Sequence, residues 1–174
     1  MKKEYLDVVD ENDNPIALAT AYECHEKGLR HRASFALLYN KEGKLLIQRR
    51  ALNKVILPGK LCCSMSGHLK VGESYLRAAQ REVKEELGIT TELIPISKIK
   101  REIRYEENGL IDNQIITIFL GKVDEEVKIN EEVHSTSYMS EDEFREKLAK
   151  DPELFAPLVE DVFQSYLKFK KENI

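Results

Sequence analysis

The chain has 174 residues, 42% of them hydrophobic and 33% charged, enough apolar material for one core and too much charge for a membrane protein. Lys+Arg 27 against Asp+Glu 31 leaves a net charge of -4, which argues against a general nucleic-acid binder. No apolar run approaches the ~18–20 residues of a membrane span, and the basic start Met1-Lys2-Lys3 is followed by acidic residues instead of the apolar segment of a secretory signal. Three cysteines, Cys24, Cys62 and Cys63, are an odd number without zinc-type spacing, so the expectation is a reduced, cytoplasmic globular protein.

In chain order, Leu6, Val8 and Val9, a turn over residues 11–15 and an apolar run over 16–20 predict a small hairpin joined to the main sheet. Residues 21–27 predict a short helix stopped by Gly28. Residues 34–39 and 44–49 predict two strands across a glycine-containing loop, their nearly continuous apolar runs pointing to cover on both faces. Residues 62–65 predict a short strand. Ser74 as N-cap, an apolar stripe of Leu76, Ala79, Val83 and Leu87, and Gly88 beyond predict a helix over 74–87. Strands are expected over 93–105, 114–123 and 133–139. Ser140 with Glu143 is a capping-box pair opening a helix to about residue 150, and a last helix over 157–171 buries Leu158, Val162, Tyr166 and Phe169. The imperfect alternation predicts an α/β fold in which a mixed central sheet lies between helices.

On the helix over 74–87, Glu82, Glu85 and Glu86 share one arc about 100° wide. Like charges so spaced cost a helix roughly 0.2–0.5 kcal/mol per pair, and they stand near its C-terminus, where the macrodipole disfavours anions. A solvated acidic face would have the same spacing. A hard divalent cation, which takes oxygen ligands and bridges carboxylates to phosphates, would reverse the sign of that cost. Arg81 reaches Glu85 at i,i+4 and could hold its carboxylate in place.

The wider segment decides between these readings. Gly67, Glu73, Arg81-Glu82, Glu85-Glu86 and Gly88, each at its required separation, resemble the Nudix box over residues 67–89, a coincidence with a chance probability on the order of 10⁻⁸. The resemblance implies an α/β/α sandwich with a mixed central sheet, one Nudix domain over 1–174 with residues 1–30 as an N-terminal hairpin extension. It implies a small-molecule diphosphate as substrate and Mg²⁺ (or Mn²⁺) as cofactor. Glu82, Glu86, Glu85 and the Gly67 carbonyl would be the metal ligands, Arg81 an orienting group and Glu73 a support for the loop. The general base would be Glu82, or Glu131 or Glu132 ahead of the strand at 133.

The stretches His31-Arg32-Ala33-Ser34-Phe35, Arg49-Arg50-Ala51-Leu52-Asn53-Lys54 and Gly67-His68 further resemble the type 1 isopentenyl diphosphate isomerases, a branch with this fold. That likeness implies diphosphate contacts from Arg50 and Lys54 and a second metal held by His25, His31, His68 and Asp112. The departures fall on the chemistry. Ser66 stands where the isomerases have a catalytic cysteine, with Cys62 and Cys63 four and three residues too early to replace it. Gln114 stands where they have a carboxylate, and the chain has no tryptophan. A hydroxyl and a carboxamide do not exchange protons near neutral pH as a thiol and a carboxylate do. The expectation is a hydrolase of the isomerase-like branch, with an isomerase or a non-catalytic diphosphate sensor as alternatives. Cys62-Cys63 is expected to pack in the core, and Met65 and Tyr105 to line the pocket or fill the core. The other half of the substrate and the oligomeric state carry no signal.

Overall fold

The computed structural model describes residues 4–173; the basic start Met1-Lys2-Lys3 and Ile174 lie outside them. β1 (Tyr5–Val9) and β2 (Pro15–Thr20) form the expected antiparallel hairpin. Asp10 Oδ1 accepts from the backbone N–H groups of Asn12 and Asn14 at 2.8 and 2.9 Å, the local bonding that makes this sequence turn. The hairpin does not join the main sheet, contrary to expectation; it is a two-stranded sheet of its own, packed through Leu6, Val8 and Ala19 on Cys24. Cys24 lies on α1 (Ala21–Lys27), which Thr20 and Glu23 open with a capping box and Gly28 closes at φ 64.

The next strands are β3 (His31–Asn40), β4 (Leu45–Arg50), β5 (Leu61–Cys62) and β6 (Met65–His68). The strand expected over 62–65 is therefore broken in two. The Ser64 hydroxyl is the cause: it accepts from Leu38 N–H at 2.7 Å and donates to the Leu46 carbonyl at 2.5 Å, taking ladder positions that a continuing strand would fill.

α2 (Tyr75–Leu87) runs from its Ser74 cap to Gly88 at φ 69, as predicted. Its buried stripe is Ala79, Val83 and Leu87 with Ala78, whereas Leu76 is 41% exposed. Three residues back from Ala79 is a rotation of about 60° off the stripe, enough to carry Leu76 to its edge. β7 (Leu93–Arg104) and β8 (Ile111–Val123) form a long antiparallel pair; β8 begins three residues earlier than expected and so takes in Asp112. β9 (Val133–Met139), α3 (Glu141–Lys150), a 3₁₀ turn (Pro152–Leu154) and α4 (Leu158–Asn173) complete the chain.

The main sheet has the order β5-β4-β3-β8-β7, with β6 paired to β3 and β9 to β4. β3 and β8 run parallel and the other pairs antiparallel, so the sheet is mixed. β8 accompanies β3 from His31 to Asn40 on one side, and β6 and β4 occupy the other. That leaves β3 no free edge for β1, which is why the hairpin stands apart. One sheet face packs Phe35, Leu37 and Ile118 against Phe144 of α3 and Val162 and Phe163 of α4. The opposite face packs Ala36, Leu38 and Phe119 against Ala79, Val83 and Leu87 of α2. The result is the α/β/α sandwich that the sequence implied. Tyr166 is buried on α4 as expected, while Phe169, near its end, is only half-covered.

Candidate active site

α2 turns its second half toward β6. Glu82 and Glu86, one helical turn apart, are 8% and 4% exposed, a degree of burial that carboxylates rarely reach without partners. Gly67 on β6 provides the space: a Cβ there would lie 2.4 to 2.6 Å from the Cδ, Cγ and Oε1 atoms of Glu82. The glycine is required by close approach, not by backbone conformation. Glu85, on the outer edge of the arc, is exposed and meets Lys70 at 3.8 Å.

Arg81 binds the loop before α2 to the acidic face. Its Nε and Nη2 donate to the two Glu73 oxygens at 2.9 and 2.8 Å, and Nη2 also donates to the His68 carbonyl at 3.1 Å. Nη1 donates to Glu82 Oε1 at 2.6 Å and to Glu85 Oε2 at 3.2 Å. Burial nevertheless pushes the Glu82 carboxyl above its ordinary pKa. Burial, with the charges of Glu82 and Glu132 beside it, raises Glu86 well above its own. The direct partner of Glu86 is Gln48 Nε2, at 3.2 Å. Gln48, a fully buried polar residue on apolar β4, was missed by the sequence reading; its departure from the apolar run was the available signal.

Arg50, Lys54 and Glu132 line the same cavity, about 710 Å³ in volume, as Gly67 and the three glutamates. Lys54 Nζ is ion-paired to Glu132, and Arg50 donates to the Ile56 carbonyl at 3.0 and 3.3 Å. Glu131 is exposed and is not part of the wall. Met65 is fully buried in the core, whereas Tyr105 reaches the cavity.

The three histidines also converge with Asp112: His25, His68 and Asp112 line this cavity, and His31 beside them is fully buried. The rings of His25, His31 and His68 stand 5.0 to 5.2 Å apart between centroids. One ligand atom from each, with an Asp112 oxygen, falls within a sphere of mutual distances below 4.8 Å. His31 Nδ1 bonds the Leu29 carbonyl at 2.9 Å, which directs the Nε2 lone pair at the cluster. Burial and the neighbouring His68 push His31 down to about 3. Burial opposes ionisation of Asp112, but the neighbouring imidazoles, His25 foremost, hold it below the usual carboxylate range. A neutral imidazole and an ionised carboxylate are the protonation states that a metal ligand needs. Tyr105 donates to Asp112 at 3.1 Å, and Glu4, ahead of β1, lies 4.0 Å from His68 Nδ1; neither partner was foreseen.

Cys62 and Cys63 are buried, as expected, and the break at Ser64 brings the Cys62 sulfur to 3.7 Å from Ser66 Oγ, on the cavity wall. The Cys63 thiol and the charge of Arg50 hold Cys62 as the more acidic of the adjacent pair.

Known proteins share both fold and sequence with this arrangement. An isopentenyl-diphosphate Delta-isomerase of Pectobacterium atrosepticum is 36% identical over 152 residues, 85% of this chain and 83% of its own. An uncharacterized Nudix hydrolase of Yersinia pestis is 43% identical over 86 residues, 49% of this chain and 47% of its own. A crystal structure from Deinococcus radiodurans superposes with a TM-score of 0.75 at 24% identity, covering 94% of this chain and 99% of that one, a likeness of fold. The NUDIX domain family model matches residues 29–160, from the strand that carries His31 to the start of α4, and with them the whole of the acidic helix: the chain belongs to the Nudix family.

Proposed function

We propose that the protein is a Mg²⁺- (or Mn²⁺-) dependent hydrolase that cleaves the diphosphate linkage of a small organic or nucleoside diphosphate. The observation that carries this reading is the burial of Glu82 and Glu86 side by side against Gly67, with a neutral carboxamide as the direct partner of Glu86. Two desolvated carboxylates on one wall repel each other, and a dication between them removes that penalty. Glu82, Glu86, the outlying Glu85 and the Gly67 carbonyl would hold the ion. Bound there, it would neutralise the diphosphate and lower the pKa of the attacking water. Arg81 fixes the direction of Glu82 through its fork on Glu73. Arg50 and Lys54 would take the diphosphate oxygens. A diphosphate that claims Lys54 releases Glu132 from its ion pair, and a free Glu132 at the cavity edge is the base that would take the proton from water.

The test is a phosphate-release screen across a panel of diphosphates with Mg²⁺ and with Mn²⁺, scoring which product keeps a phosphate. Turnover that needs the ion is the expected result; no turnover of any member, with either ion, is the contrary one.

A second reading, isomerisation of isopentenyl diphosphate, draws on the names of the curated relatives and on the Cys62 thiol beside Ser66. Against it stands the Gln114 carboxamide, which offers no proton near neutral pH. Interconversion of isopentenyl and dimethylallyl diphosphate at enzymatic rates, lost in Cys62→Ala, would establish it and overturn the first reading. The imidazole cluster is proposed as a second metal site under either.

A further inference from the structure

Cys62 and Cys63 are neighbours in the chain, and their sulfurs are 3.8 Å apart. Successive residues of an extended strand point to opposite faces, which keeps the side chains of such a pair separated. Here β5 ends at Cys62 and the chain breaks at Ser64, so the two sulfurs stay in contact. The pair is asymmetric. Cys63 is fully buried, its sulfur 3.2 Å from the Met65 carbonyl. Cys62 is part of the cavity wall, its sulfur 3.7 Å from Ser66 Oγ. Arg50 and Tyr105, also wall residues, are near enough to interact with it by charge. The third cysteine, Cys24, is enclosed by Leu6, Val8 and Ala19 of the hairpin and is not part of that wall.

The surroundings divide the labour between the two thiols. The hydrogen bond from Cys63, then the Arg50 guanidinium and the Ser66 hydroxyl, favour the thiolate at Cys62 against the burial that opposes it. The same bond, with burial, pushes the Cys63 thiol up, and burial pushes Cys24 up to about 11. One nucleophilic sulfur therefore stands at the wall with a protonated thiol in contact behind it. A hydroperoxide is far smaller than any diphosphate for which a cavity of about 710 Å³ has room, so the wall is within its reach.

We propose that Cys62 and Cys63 form a redox modification site, at which a hydroperoxide converts the two adjacent thiols to a disulfide and displaces β6. In the first step the Cys62 sulfur attacks a peroxide oxygen: an S–O bond forms, the O–O bond breaks, and the departing hydroxide becomes water with the proton that Cys62 gave up. In the second the Cys63 sulfur attacks the sulfenic sulfur: an S–S bond forms, the S–O bond breaks, and the hydroxide leaves as water with the Cys63 proton. The two sulfurs lose two electrons and the peroxide takes them. A trans peptide holds adjacent Cα atoms about 3.8 Å apart, below the roughly 4.4–6.8 Å that most disulfides span, so the ring closes only if the peptide between the cysteines twists. Ser64 is the next residue, its hydroxyl bound between Leu38 and Leu46. Moving it shifts the start of β6, and with it Gly67 against Glu82 and His68 among the imidazoles. A disulfide so constrained is readily reduced, which makes the change reversible. The covalent step is independent of the hydrolase reading; only its effect on the metal rests on it.

The experiment uses the full chain, reduced, treated with hydrogen peroxide in up to about tenfold excess, then unfolded in N-ethylmaleimide and weighed intact. The oxidised protein is expected to take one maleimide, on Cys24, where the reduced protein takes three, and peptide mapping should place the link in the fragment that carries both Cys62 and Cys63. Before unfolding, it should melt at least about 3 °C lower and bind Mg²⁺ at least about tenfold more weakly by calorimetry, and dithiothreitol should restore both. Cys63→Ser should stop at a Cys62 sulfenic acid that dimedone traps, and Cys62→Ser should leave Cys63 reduced. Two or three maleimides on the treated protein overturn the proposal, as does a disulfide that uses Cys24 or joins two chains. So does a Cys63 oxidised as readily in Cys62→Ser, or a Cys62–Cys63 link that leaves melting and Mg²⁺ binding unchanged. The mass and the peptide map of the unsubstituted chain decide the site even where a variant fails to fold. The link and the melting shift, in a protein that binds no Mg²⁺ in either state, leave the proposal standing and count instead against the hydrolase reading. Mg²⁺ binding without the link does the reverse.

Discussion

Glu86→Gln is expected to move stability and activity in opposite directions. The Glu86 carboxyl is 4% exposed, faces Glu82 and Glu132, and has its pKa raised well above the ordinary 4.5 by burial and then by those two charges. A carboxyl whose pKa is higher folded than unfolded binds more protons in the native state. Its contribution to the ion-free protein therefore falls as pH rises from about 4.5 to the folded value, and is flat above it. Glutamine keeps the shape and removes the charge, and Gln48 can turn its carboxamide to match. In a chelator at pH 7.5 the variant should be more stable by about 1–3 kcal/mol, the range for relieving a poorly satisfied buried group. For a chain of this length that is about 3–9 °C in Tm. With Mg²⁺ the order should reverse, because an ion at a hundred times its Kd adds about 2.7 kcal/mol to the protein that binds it and little to one lacking a ligand. Diphosphate cleavage should fall by at least about a hundredfold, the upper end of what loss of a merely supporting group costs a metal site. The assay is thermal unfolding with and without Mg²⁺, beside phosphate release. A variant that melts at or below the parent in chelator, or a parent and variant equally stabilised by Mg²⁺, refutes the electrostatic argument.

Gly67→Ala puts a methyl 2.4 to 2.6 Å from the Glu82 carboxyl. It should cost about 1–3 kcal/mol of stability and raise the Mg²⁺ concentration needed for half-maximal turnover at least tenfold, and an unchanged Mg²⁺ dependence would remove Glu82 from the ligand set. Arg81→Lys keeps the charge and loses the fork on Glu73, so kcat should drop about 10–100-fold; full activity would mean that charge alone matters at this position. Protein purified without added metal should carry an ion that His68→Ala lacks, read by elemental analysis, and metal-free parent protein would sink the imidazole site. His31, buried and depressed to about 3, binds a proton less readily folded than unfolded. Urea unfolding in chelator should thus show stability lost as pH falls below 6.5, with this group adding at most about 1.36 kcal/mol per pH unit.

What could be read in the sequence is what local geometry fixes. Ser74 and Gly88 bracket α2, Ser140 and Glu143 open α3, and Gly28 ends α1, because caps act on residues three or four positions away. The convergence of Glu82 with Glu86 was legible for the same reason: a turn of helix sets it. The position of the N-terminal hairpin was not, since it depends on whether β3 keeps a free edge, and that is decided by β8 more than seventy residues later. Gln48 meets Glu86 across a separation of 38 residues, and Cys62 meets Ser66 only because Ser64 breaks the strand between them. Such partners are set by sheet register, which a single sequence does not display.

β6 shows what register decides here. Successive residues of a strand point to opposite faces, so Gly67 looks toward α2 while His68 looks toward the imidazole cluster. Ser34, opposite Gly67, bonds the Tyr75 carbonyl on the α2 side, and Ala33, opposite His68, lies in the core on the other. The acidic cluster and the histidine cluster thus meet along one edge of the cavity at two adjacent residues. A slip of β6 by one position would set the His68 side chain where Glu82 now lies and withdraw it from His25 and His31 in the same movement. Both clusters therefore depend on the Ser64 interruption, which fixes the start of β6, and substitution of that single hydroxyl should disturb the two together although Ser64 touches neither.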